Sequence, residues 1–422
     1  MTPPTHPPSA HQTPPAAQAP TTSAVLSRPA VRAWTTDPAP QLLDFHRSIP
    51  GYAATRLVEL PALARELGAA RVWVKEESAR YGLPAFKMLG AAHAIARVLS
   101  VRLGAEEAVL PFDEIAARSG DTGIRELVAA TDGNHGRAVA HTAALVGLPA
   151  RIFLPEGVSD EAIAGIRSEG AEATVLALPY DDVVAHAAQQ GQAEGSLLVQ
   201  DTSWDGYEEI PAWIVEGYGT VLAEAAAQLA ELDAPAPTLV TAPTGVGAFA
   251  EAVVRFSRSG GFAGGDGTEG GTVADGTVDA GSGATVGEAP QVVTVEPVAA
   301  PSLIASLLAD QPVSVNTGHT IMAGLNCGTV ASSSWPVLRA GADLNAVVTD
   351  EQAAAAVRDL EALGVDSGPC GASSLAAVRV LRERGLLPEG SHILIISTEG
   401  RAANPLPEAL RAGGSDYERA QS

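Results

Sequence analysis

Short apolar runs alternate with amphipathic helical patterns between residues 127 and 200. Each run is too short for a helix, and each intervening segment repeats its apolar positions with helical spacing. Short strands separated by single helices are typical of βαβ units, in which neighbouring strands run parallel. The predicted strands are 127–130, 150–154, 173–176 and 197–200. The predicted helices between them are 134–145, 160–169 and 181–190.

The same alternation continues on both sides of this region. Further strands are predicted at 71–75, 238–242, 291–295, 346–348 and 393–396. Further helices are predicted from Met88 onward and at 210–229, 350–363 and 371–383. We therefore predict an α/β protein with two doubly wound parallel-sheet domains. The small domain would comprise residues 88–210 and the large domain residues 39–87 with 211–422, with a ligand bound between them at the carboxyl ends of strands.

Two segments lack the apolar residues that an ordered core requires. Residues 1–38 are rich in Pro, Ala, Thr and Gln, and residues 259–289 are rich in Gly, Ala, Thr and Asp. Segments of such composition cannot bury enough surface to become ordered. We predict a disordered tail and a disordered surface insertion, respectively.

Composition excludes several classes of protein. Hydrophobic residues make up 46% of the 422 residues, without an apolar run long enough to span a membrane. The formal net charge of −23 argues against a nucleic-acid-binding surface. Since Cys327 and Cys370 are the only cysteines, we expect neither a disulfide framework nor a metal site. The N-terminus does not resemble a secretory signal, which predicts a cytoplasmic protein.

Two glycine-containing turns join a predicted strand to a predicted helix. The first is Thr131-Asp132-Gly133-Asn134-His135-Gly136-Arg137, and the second is Pro243-Thr244-Gly245-Val246-Gly247-Ala248-Phe249. Small residues let the backbone approach a ligand, and the free amides of a helix N-terminus attract anions. An ordinary turn between strand and helix has a similar composition, so either turn alone is weak support for a phosphate site.

Lysine is scarce, because Lys75 and Lys87 are the only two in the chain. Pro84 disfavours a helix for the residue before it, so Lys87 lies where a loop meets the helix that begins near Met88. A lysine whose pKa is lowered by burial can form a Schiff base with pyridoxal 5′-phosphate. A solvated lysine at the start of a helix is the alternative.

Polar residues also follow two other predicted strands. Asp201-Thr202-Ser203-Trp204-Asp205-Gly206-Tyr207 comes after the strand at 197–200, and Ser397-Thr398-Glu399-Gly400 comes after the last strand. Both positions favour contact with a ligand in an open α/β fold.

Six motifs, in this order, resemble the fold-type II pyridoxal-phosphate enzymes, the group of tryptophan synthase β and threonine dehydratase. The resemblance extends from about residue 40 to 410 without the 259–289 insertion. Asp132 stands where the related dehydratases usually carry Ser, so the chain is most similar to the diaminopropionate ammonia-lyase family. The motifs are Ala85-Phe86-Lys87-Met88-Leu89-Gly90, Ala130 to Arg137, Val199 to Tyr207, Gly245-Val246-Gly247, Thr320 to Leu325, and Ser397 to Gly400.

The resemblance implies a homodimer with pyridoxal 5′-phosphate between the two domains. It implies that Lys87 forms the Schiff base and acts as the base or acid at Cα. It implies that Asn134 contacts the ring hydroxyl of the cofactor, and that Asp132 and Asp201 form an acidic pair on the substrate side. It further implies a phosphate cradle of Gly245, Val246, Gly247 and Ala248, with Ser397 or Thr398 near the pyridine nitrogen.

The implied reaction is the α,β-elimination of 2,3-diaminopropionate to pyruvate and two molecules of ammonia. A carboxylate can bind the second ammonium group of this substrate, and a carboxylic acid can assist its departure. In the family, the residue at Asp132 is linked to the D-isomer and the lysine to the L-isomer. Ala85 and Thr329 depart from the family pattern, which usually has Ser and an acidic residue at these positions.

Two alternatives remain open. The first is a serine or threonine dehydratase-type lyase on the same scaffold, against which Asp132 argues. The second is a cofactor-free, degenerate homologue that acts as a binding protein, against which Lys87 and the two glycine-containing turns argue.

Overall fold

A computed structural model describes residues 20–38, 40–263 and 289–411 of the chain. Within these ranges, strands and helices alternate as expected of an α/β protein. The strands are β1 (Ala24–Ser27), β2 (Arg56–Glu59), β3 (Arg71–Glu76), β4 (Glu126–Ala130), β5 (Ala150–Pro155), β6 (Glu172–Leu176), β7 (Ser196–Leu198), β8 (Leu239–Pro243), β9 (Gln291–Pro297), β10 (Leu344–Val348) and β11 (His392–Ser397). The α-helices are α1 (Leu43–Ser48), α2 (Pro61–Leu67), α3 (Met88–Arg102), α4 (Phe112–Arg118), α5 (Asn134–Leu145), α6 (Asp160–Ser168), α7 (Tyr180–Gln190), α8 (Glu209–Glu231), α9 (Ala248–Arg258), α10 (Ser302–Ala309), α11 (Trp335–Gly341), α12 (Asp350–Ala362), α13 (Pro369–Glu383) and α14 (Glu408–Arg411).

The larger sheet has seven strands in the order β1-β10-β9-β8-β11-β3-β2. The five inner strands run parallel, and the outer strands β1 and β2 run antiparallel to their neighbours. The four apolar residues from Ile393 to Ile396 in β11 are completely buried. Continuous apolar strands of this kind are typical of parallel sheets that are covered on both faces.

The smaller sheet has four parallel strands in the order β6-β5-β4-β7. Because β4 and β7 are neighbours and run parallel, the turns that follow them lie at the same edge of this sheet. Asp132 and Asp201 are carried in those two turns. The parallel α/β architecture confirms the predicted fold class.

The prediction of a disordered tail over residues 1–38 is wrong for its last part. Strand β1 pairs with β10, with Ala24 opposite Val347, and the Arg28 amide donates to Asp343 O at 2.7 Å. Averaged over the segment, the composition conceals the short apolar run in β1. This run completes the edge of the sheet through backbone hydrogen bonds. Residues 1–19 lie outside the described residues.

The predicted insertion at 259–289 also begins with ordered residues. The Gly261 amide donates to Phe256 O at 3.0 Å, and Phe262 is buried with its ring centroid 4.9 Å from that of Phe256. This aromatic contact outweighs the glycine-rich composition and corrects the prediction for residues 259–263. Residues 264–288 lie outside the described part of the chain.

Two glycines allow helices α3 and α8 to approach closely. A Cβ atom on Gly217 would lie 2.5 Å from Leu89 O, and one on Gly90 would lie 2.5 Å from Tyr218 Cε1. No larger residue fits at either position without displacing the partner helix. The close approach places the Tyr218 ring next to the start of α3. Lys87 is the residue that immediately precedes this helix.

Four buried charged side chains fix the loop that leads from β3 to Lys87. Arg80 donates to Glu77 Oε2 at 2.8 Å and to Glu224 Oε1 at 2.6 Å, and Lys75 Nζ donates to Glu224 Oε2 at 2.7 Å. Removing one partner of a buried pair typically costs about 3–5 kcal/mol, because it leaves an uncompensated charge. The cluster therefore holds this loop firmly against α8.

Among the described residues, no helix is both long and apolar enough to cross a lipid bilayer. The domain boundaries at residues 87/88 and 210/211 stay a prediction, since the two sheets by themselves do not define where one domain ends.

Candidate active site

Lys87 lies where the loop after β3 meets helix α3. The Phe86 amide donates to Thr398 O at 3.2 Å, which fixes the backbone beside it. The Lys87 side chain is 23% exposed, and its Nζ donates to Asp201 Oδ2 at 2.6 Å. Burial acts to lower the pKa of Lys87, but the charge of Asp201 outweighs it and the pKa lies above its ordinary value. The lowered pKa assumed from the sequence is therefore wrong for this state, and Lys87 is held as an ammonium.

Asp201 is buried in the turn after β7, where it faces two cationic or polarisable groups. Besides Lys87, the His135 ring lies close, with Nδ1 3.8 Å from Asp201 Oδ2. His135 Nε2 lies 2.8 Å from Val199 O, which can only accept, so Nε2 carries a proton. Burial acts to raise the pKa of Asp201, yet His135 and Lys87 together hold it below its ordinary range. Asp201 is therefore a carboxylate.

Asp132 is exposed in the turn between β4 and α5, in contrast to Asp201. The Thr131 hydroxyl accepts the amides of Gly133 at 2.9 Å and Gly136 at 3.0 Å, which shapes the turn. Gly133 has a φ of +150°, a conformation that residues with side chains rarely adopt. The protein around the cleft limits the hydration of Asp132 and raises its pKa, as does Asp201, while Lys87 acts in the opposite direction. The two carboxyl groups thus have different tendencies to carry a proton.

Asn134, the first residue of α5, links the smaller sheet to the larger one. Its Nδ2 donates to Glu399 Oε2 at 2.9 Å. Glu399 Oε1 accepts the Cys370 amide at 3.2 Å, at the start of α13. Burial raises the pKa of Glu399, and its contacts with Cys370 act against that effect. The Asn134 side chain therefore lies at the junction of both sheets, held by a carboxyl group to which the sequence analysis gave no role.

Ser397 and Thr398 lie at the carboxyl end of β11, beside Glu399. Both are buried. The Ser397 hydroxyl donates to Ser367 Oγ at 2.7 Å, and the Thr398 backbone carbonyl accepts the Phe86 amide. Of the two predicted candidates for contact with a pyridine nitrogen, Ser397 is thus already engaged with another hydroxyl.

The loop from Gly245 to Ala248 joins β8 to α9. Gly247 has a φ of +104°, and a Cβ atom on Gly245 would lie 2.9 Å from Gly324 O and 3.1 Å from Cys327 Sγ. Gly247 is required because of its left-handed backbone, and Gly245 is required because no side chain would fit there. The amides of the first turn of α9 have no partner within the helix, so the loop forms a cradle of backbone N–H groups.

Three serines join the loop that carries Asp201 to the segment that supports the glycine loop. Ser203 Oγ lies 2.8 Å from Ser333 Oγ and 3.1 Å from Ser332 Oγ. The next residue back along the chain, Ala331, donates its amide to Val246 O at 2.8 Å. This contact closes one side of the cleft between the two sheets.

Several residues near the predicted site were missed, because only the fold brings them there. Tyr180 Oη accepts from Gln200 Nε2 at 3.3 Å, and burial together with nearby Asp201 raises its pKa well above its ordinary value. Burial and the charges of Asp132 and Asp201 raise the pKa of the Cys327 thiol to about 12. Cys327 at least lies close to a recognised motif, whereas no sequence pattern points to Tyr180 or Tyr218.

The site therefore combines a lysine, two carboxyl groups of different character and a cradle of backbone amides. The lysine and the carboxyl groups can move protons, and the cradle can hold a phosphate group. Among the described residues, no cluster of three or more His, Cys, Asp or Glu side chains could hold a metal ion.

Comparison with known proteins agrees with the family resemblance of the sequence. Residues 49–399 match the model of a family described as "Pyridoxal-phosphate dependent enzyme". A diaminopropionate ammonia-lyase of Salmonella typhimurium is 36% identical over 391 residues, covering 88% of this chain and 91% of the relative.

Solved structures of the Escherichia coli diaminopropionate ammonia-lyase are also similar. A complex with D-serine superposes with a TM-score of 0.79 at 30% identity, over 95% of this chain and 99% of the other. A complex with an aminoacrylate-PLP azomethine reaction intermediate has a TM-score of 0.74 at 30% identity, over 91% and 95% of the two chains.

Proposed function

Since the chain belongs to the pyridoxal-phosphate dependent enzyme family, we propose that it is a diaminopropionate ammonia-lyase. It is a carbon–nitrogen lyase that converts 2,3-diaminopropionate to pyruvate and two molecules of ammonia by α,β-elimination. The observation that carries this function is the ion pair of Lys87 with Asp201, next to the exposed carboxyl group of Asp132. The substrate has a second ammonium group, and an acidic site suits it better than it suits the hydroxyl group of serine or threonine.

The residues of the site fit pyridoxal 5′-phosphate. A Cβ atom on Gly245 would collide with Gly324 O and Cys327 Sγ, and Gly247 has a left-handed backbone, so the loop brings its amides together without intervening side chains. The buried Ser334 hydroxyl has no hydrogen-bond partner among the described residues, and its Cβ would lie 3.2 Å from a Cβ built on Gly247. Gly245, Val246, Gly247 and Ala248 would hold the phosphate, Lys87 the aldehyde carbon, Asn134 the ring hydroxyl, and Ser397 or Thr398 the pyridine nitrogen.

When bound, the cofactor acts as an electron sink for the substrate Cα. Lys87 removes the proton from Cα, for which its amine must be neutral. Asp201 keeps the amine of Lys87 within the cleft, and His135 helps keep Asp201 ionised. The proton transfer thus depends on a lysine whose position is fixed by a carboxylate.

Asp132 accepts a hydrogen bond from the β-ammonium group of the substrate. As the Cβ–N bond breaks, its electron pair leaves with nitrogen, so a protonated β-amine departs as neutral ammonia. If this amine binds unprotonated, Asp132 in its acid form can supply the missing proton, because its pKa is raised. Water hydrolyses the released enamine to pyruvate and a second ammonia. The resemblance to the family supports, in addition, a role of Asp132 in the reaction of the D-isomer and of Lys87 in that of the L-isomer.

The experiment is a pyruvate-release assay on the protein loaded with pyridoxal phosphate. L- and D-2,3-diaminopropionate are compared with serine, and threonine is followed through 2-oxobutyrate. Preference for diaminopropionate by at least about tenfold in kcat/KM is expected from a charged hydrogen bond to the β-ammonium. Preference for serine or threonine would contradict the substrate assignment and favour the dehydratase alternative, with fold and cofactor unchanged.

The finer features of the prediction belong to the same proposal. The resemblance to the family supports a homodimer, which sedimentation at several protein concentrations tests. A location in the cytoplasm is supported by two free cysteines, Cys327 and Cys370, and cell fractionation tests it. The domain division at residues 88–210 is supported by the four-stranded sheet between Glu126 and Leu198, and limited proteolysis tests it.

A further inference from the structure

Tyr218, on helix α8, carries a polar group that the proposed function leaves unused. The residue is completely buried, and its hydroxyl makes no hydrogen bond within the part of the chain that the structure describes. An unpaired hydroxyl in the protein interior costs free energy, and most buried polar groups are therefore paired. A phenylalanine would fill the same space without that cost, so the hydroxyl indicates a role other than stability.

The charged group next to this tyrosine is the amine of Lys87. Lys87 Nζ lies 5.9 Å from the centroid of the Tyr218 ring, and 5.7 Å from that of Phe86. Both distances allow a cation–π attraction. Burial raises the pKa of the Tyr218 phenol, and the positive charge of Lys87 acts in the opposite direction. The phenol therefore remains neutral and can both donate and accept a hydrogen bond.

The surrounding residues hold the Tyr218 ring in one place. Its centroid lies 4.6 Å from that of Phe86 and 6.1 Å from that of Phe249. Gly90 leaves the space that the ring occupies, since a Cβ atom there would lie 2.5 Å from Tyr218 Cε1. The motif that contains Lys87 therefore also contains Gly90, whose missing side chain leaves room for the Tyr218 ring next to Lys87.

We propose that Tyr218 is a positioning residue for Lys87, whose free amine hydrogen-bonds to the Tyr218 hydroxyl during turnover. An ammonium group has three N–H donors, and Asp201 accepts from one of them. The hydroxyl accepts from a second donor, and it donates to the amine after the amine has lost its proton. Asp201, as a carboxylate, can only accept. Tyr218 therefore keeps Lys87 in place in both protonation states. This inference rests on the proposed function, in which Lys87 exchanges a proton with the substrate.

The test is the Tyr218→Phe variant, which removes the hydroxyl and keeps the ring. We expect kcat to fall about tenfold and KM to stay within about twofold, because the lost hydrogen bond acts on the lysine and not on substrate binding. The melting temperature should equal or exceed that of the wild type, since the removed hydroxyl has no partner. A loss of activity in parallel with a lower melting temperature would overturn the proposal, as would an unchanged kcat.

Tyr81→Phe is the matched control. Its hydroxyl is also buried, but it donates to His46 O at 2.7 Å, away from Lys87. This variant should lower the melting temperature and leave kcat unchanged. The opposite effects of the two substitutions separate a role in positioning from a role in stability.

A second measurement needs no substrate. Cofactor-free wild-type protein and cofactor-free Tyr218→Phe are mixed with pyridoxal phosphate at one pH, and the rate of uptake reports the neutral fraction of the free Lys87 amine. The rate should rise at least about threefold in Tyr218→Phe, because the variant loses the hydrogen bond that the ammonium donates to the hydroxyl, and a hydrogen bond to a charged group is the stronger one. An unchanged rate would overturn the proposal whatever the activity. If the wild type did not turn over diaminopropionate, the proposed function would fail, and this rate would still decide the role of Tyr218.

Discussion

Replacement of Asp201 by Asn tests whether its charge sets the protonation state of Lys87. Asn keeps the shape of the side chain and removes the charge. Two unit charges at the observed 2.6 Å attract each other by about 6 kcal/mol at an effective dielectric constant of about 20. This is an upper bound, because the Lys87 side chain is 23% exposed and solvent screens the pair. We take about 2 kcal/mol as the net effect, between the values for exposed and buried pairs.

A loss of about 2 kcal/mol lowers the pKa of Lys87 by about 1.5 units, which raises the neutral fraction of the amine roughly thirtyfold at neutral pH. Only a neutral amine attacks the aldehyde of pyridoxal phosphate. Cofactor-free Asp201→Asn protein should therefore take up the cofactor faster than the wild type, by up to about thirtyfold. Stopped-flow absorbance measures this rate. Turnover should fall in the same variant, because Lys87 loses the carboxylate that holds it in position.

Glu231→Gln is the control, because it removes an equal charge from an exposed position in the last turn of α8. It should change neither uptake nor turnover. Folded Asp201→Asn protein that takes up the cofactor at the wild-type rate or more slowly would refute the reasoning, because Asp201 would then not control the charge of Lys87.

Three further predictions concern single residues. Lys87→Ala should abolish pyruvate release while the circular dichroism spectrum stays that of the folded protein; near-normal turnover would exclude Lys87 as the catalytic lysine. Asp132→Asn should lower kcat/KM for diaminopropionate about tenfold to a hundredfold, with the cofactor Kd within about threefold, as measured by absorbance titration; an equal loss of cofactor affinity would give Asp132 a structural role. Burial raises the pKa of Glu296 from 4.5 to about 7, although it caps α10 by accepting the Leu303 and Ile304 amides. The stability that this raised pKa contributes is complete below pH 4.5 and is lost as pH rises through about 7. In Glu296→Gln the free energy of unfolding in urea should therefore lose about 3 kcal/mol of its pH dependence. An unchanged pH profile would disprove this.

The regular elements could be predicted because their signals are local. Helix α5 begins and ends at the predicted residues 134 and 145, and β9 begins at the predicted residue 291. Elements without a strong local pattern were missed, among them β1, whose strand conformation depends on its hydrogen bonds to β10. The Phe256–Phe262 contact likewise orders residues whose composition favours disorder.

The chemistry of the site could be predicted only in part. Lys87, Asp132 and Asp201 were chosen as candidates because each follows a strand or precedes a helix within a recognisable motif. Their electrostatics could not be read from the sequence. The pKa of Lys87 is raised where a lowered value had been assumed, because Asp201, 114 positions along the chain, lies 2.6 Å away. Tyr218 had no signal of its own, since a tyrosine in an apolar helix usually belongs to the core.

The sequence by itself determined the α/β class, the cofactor family and the candidates for the site residues, because periodicity, glycine spacing and motif order are properties of short segments. The tertiary structure decided which carboxyl group neutralises Lys87, which hydroxyl is left unpaired beside it, and why Asp132 and Asp201 differ. Charge and burial act through space over a few ångströms, and only the packed chain brings the turns after β4 and β7, the start of α3 and the middle of α8 within that distance.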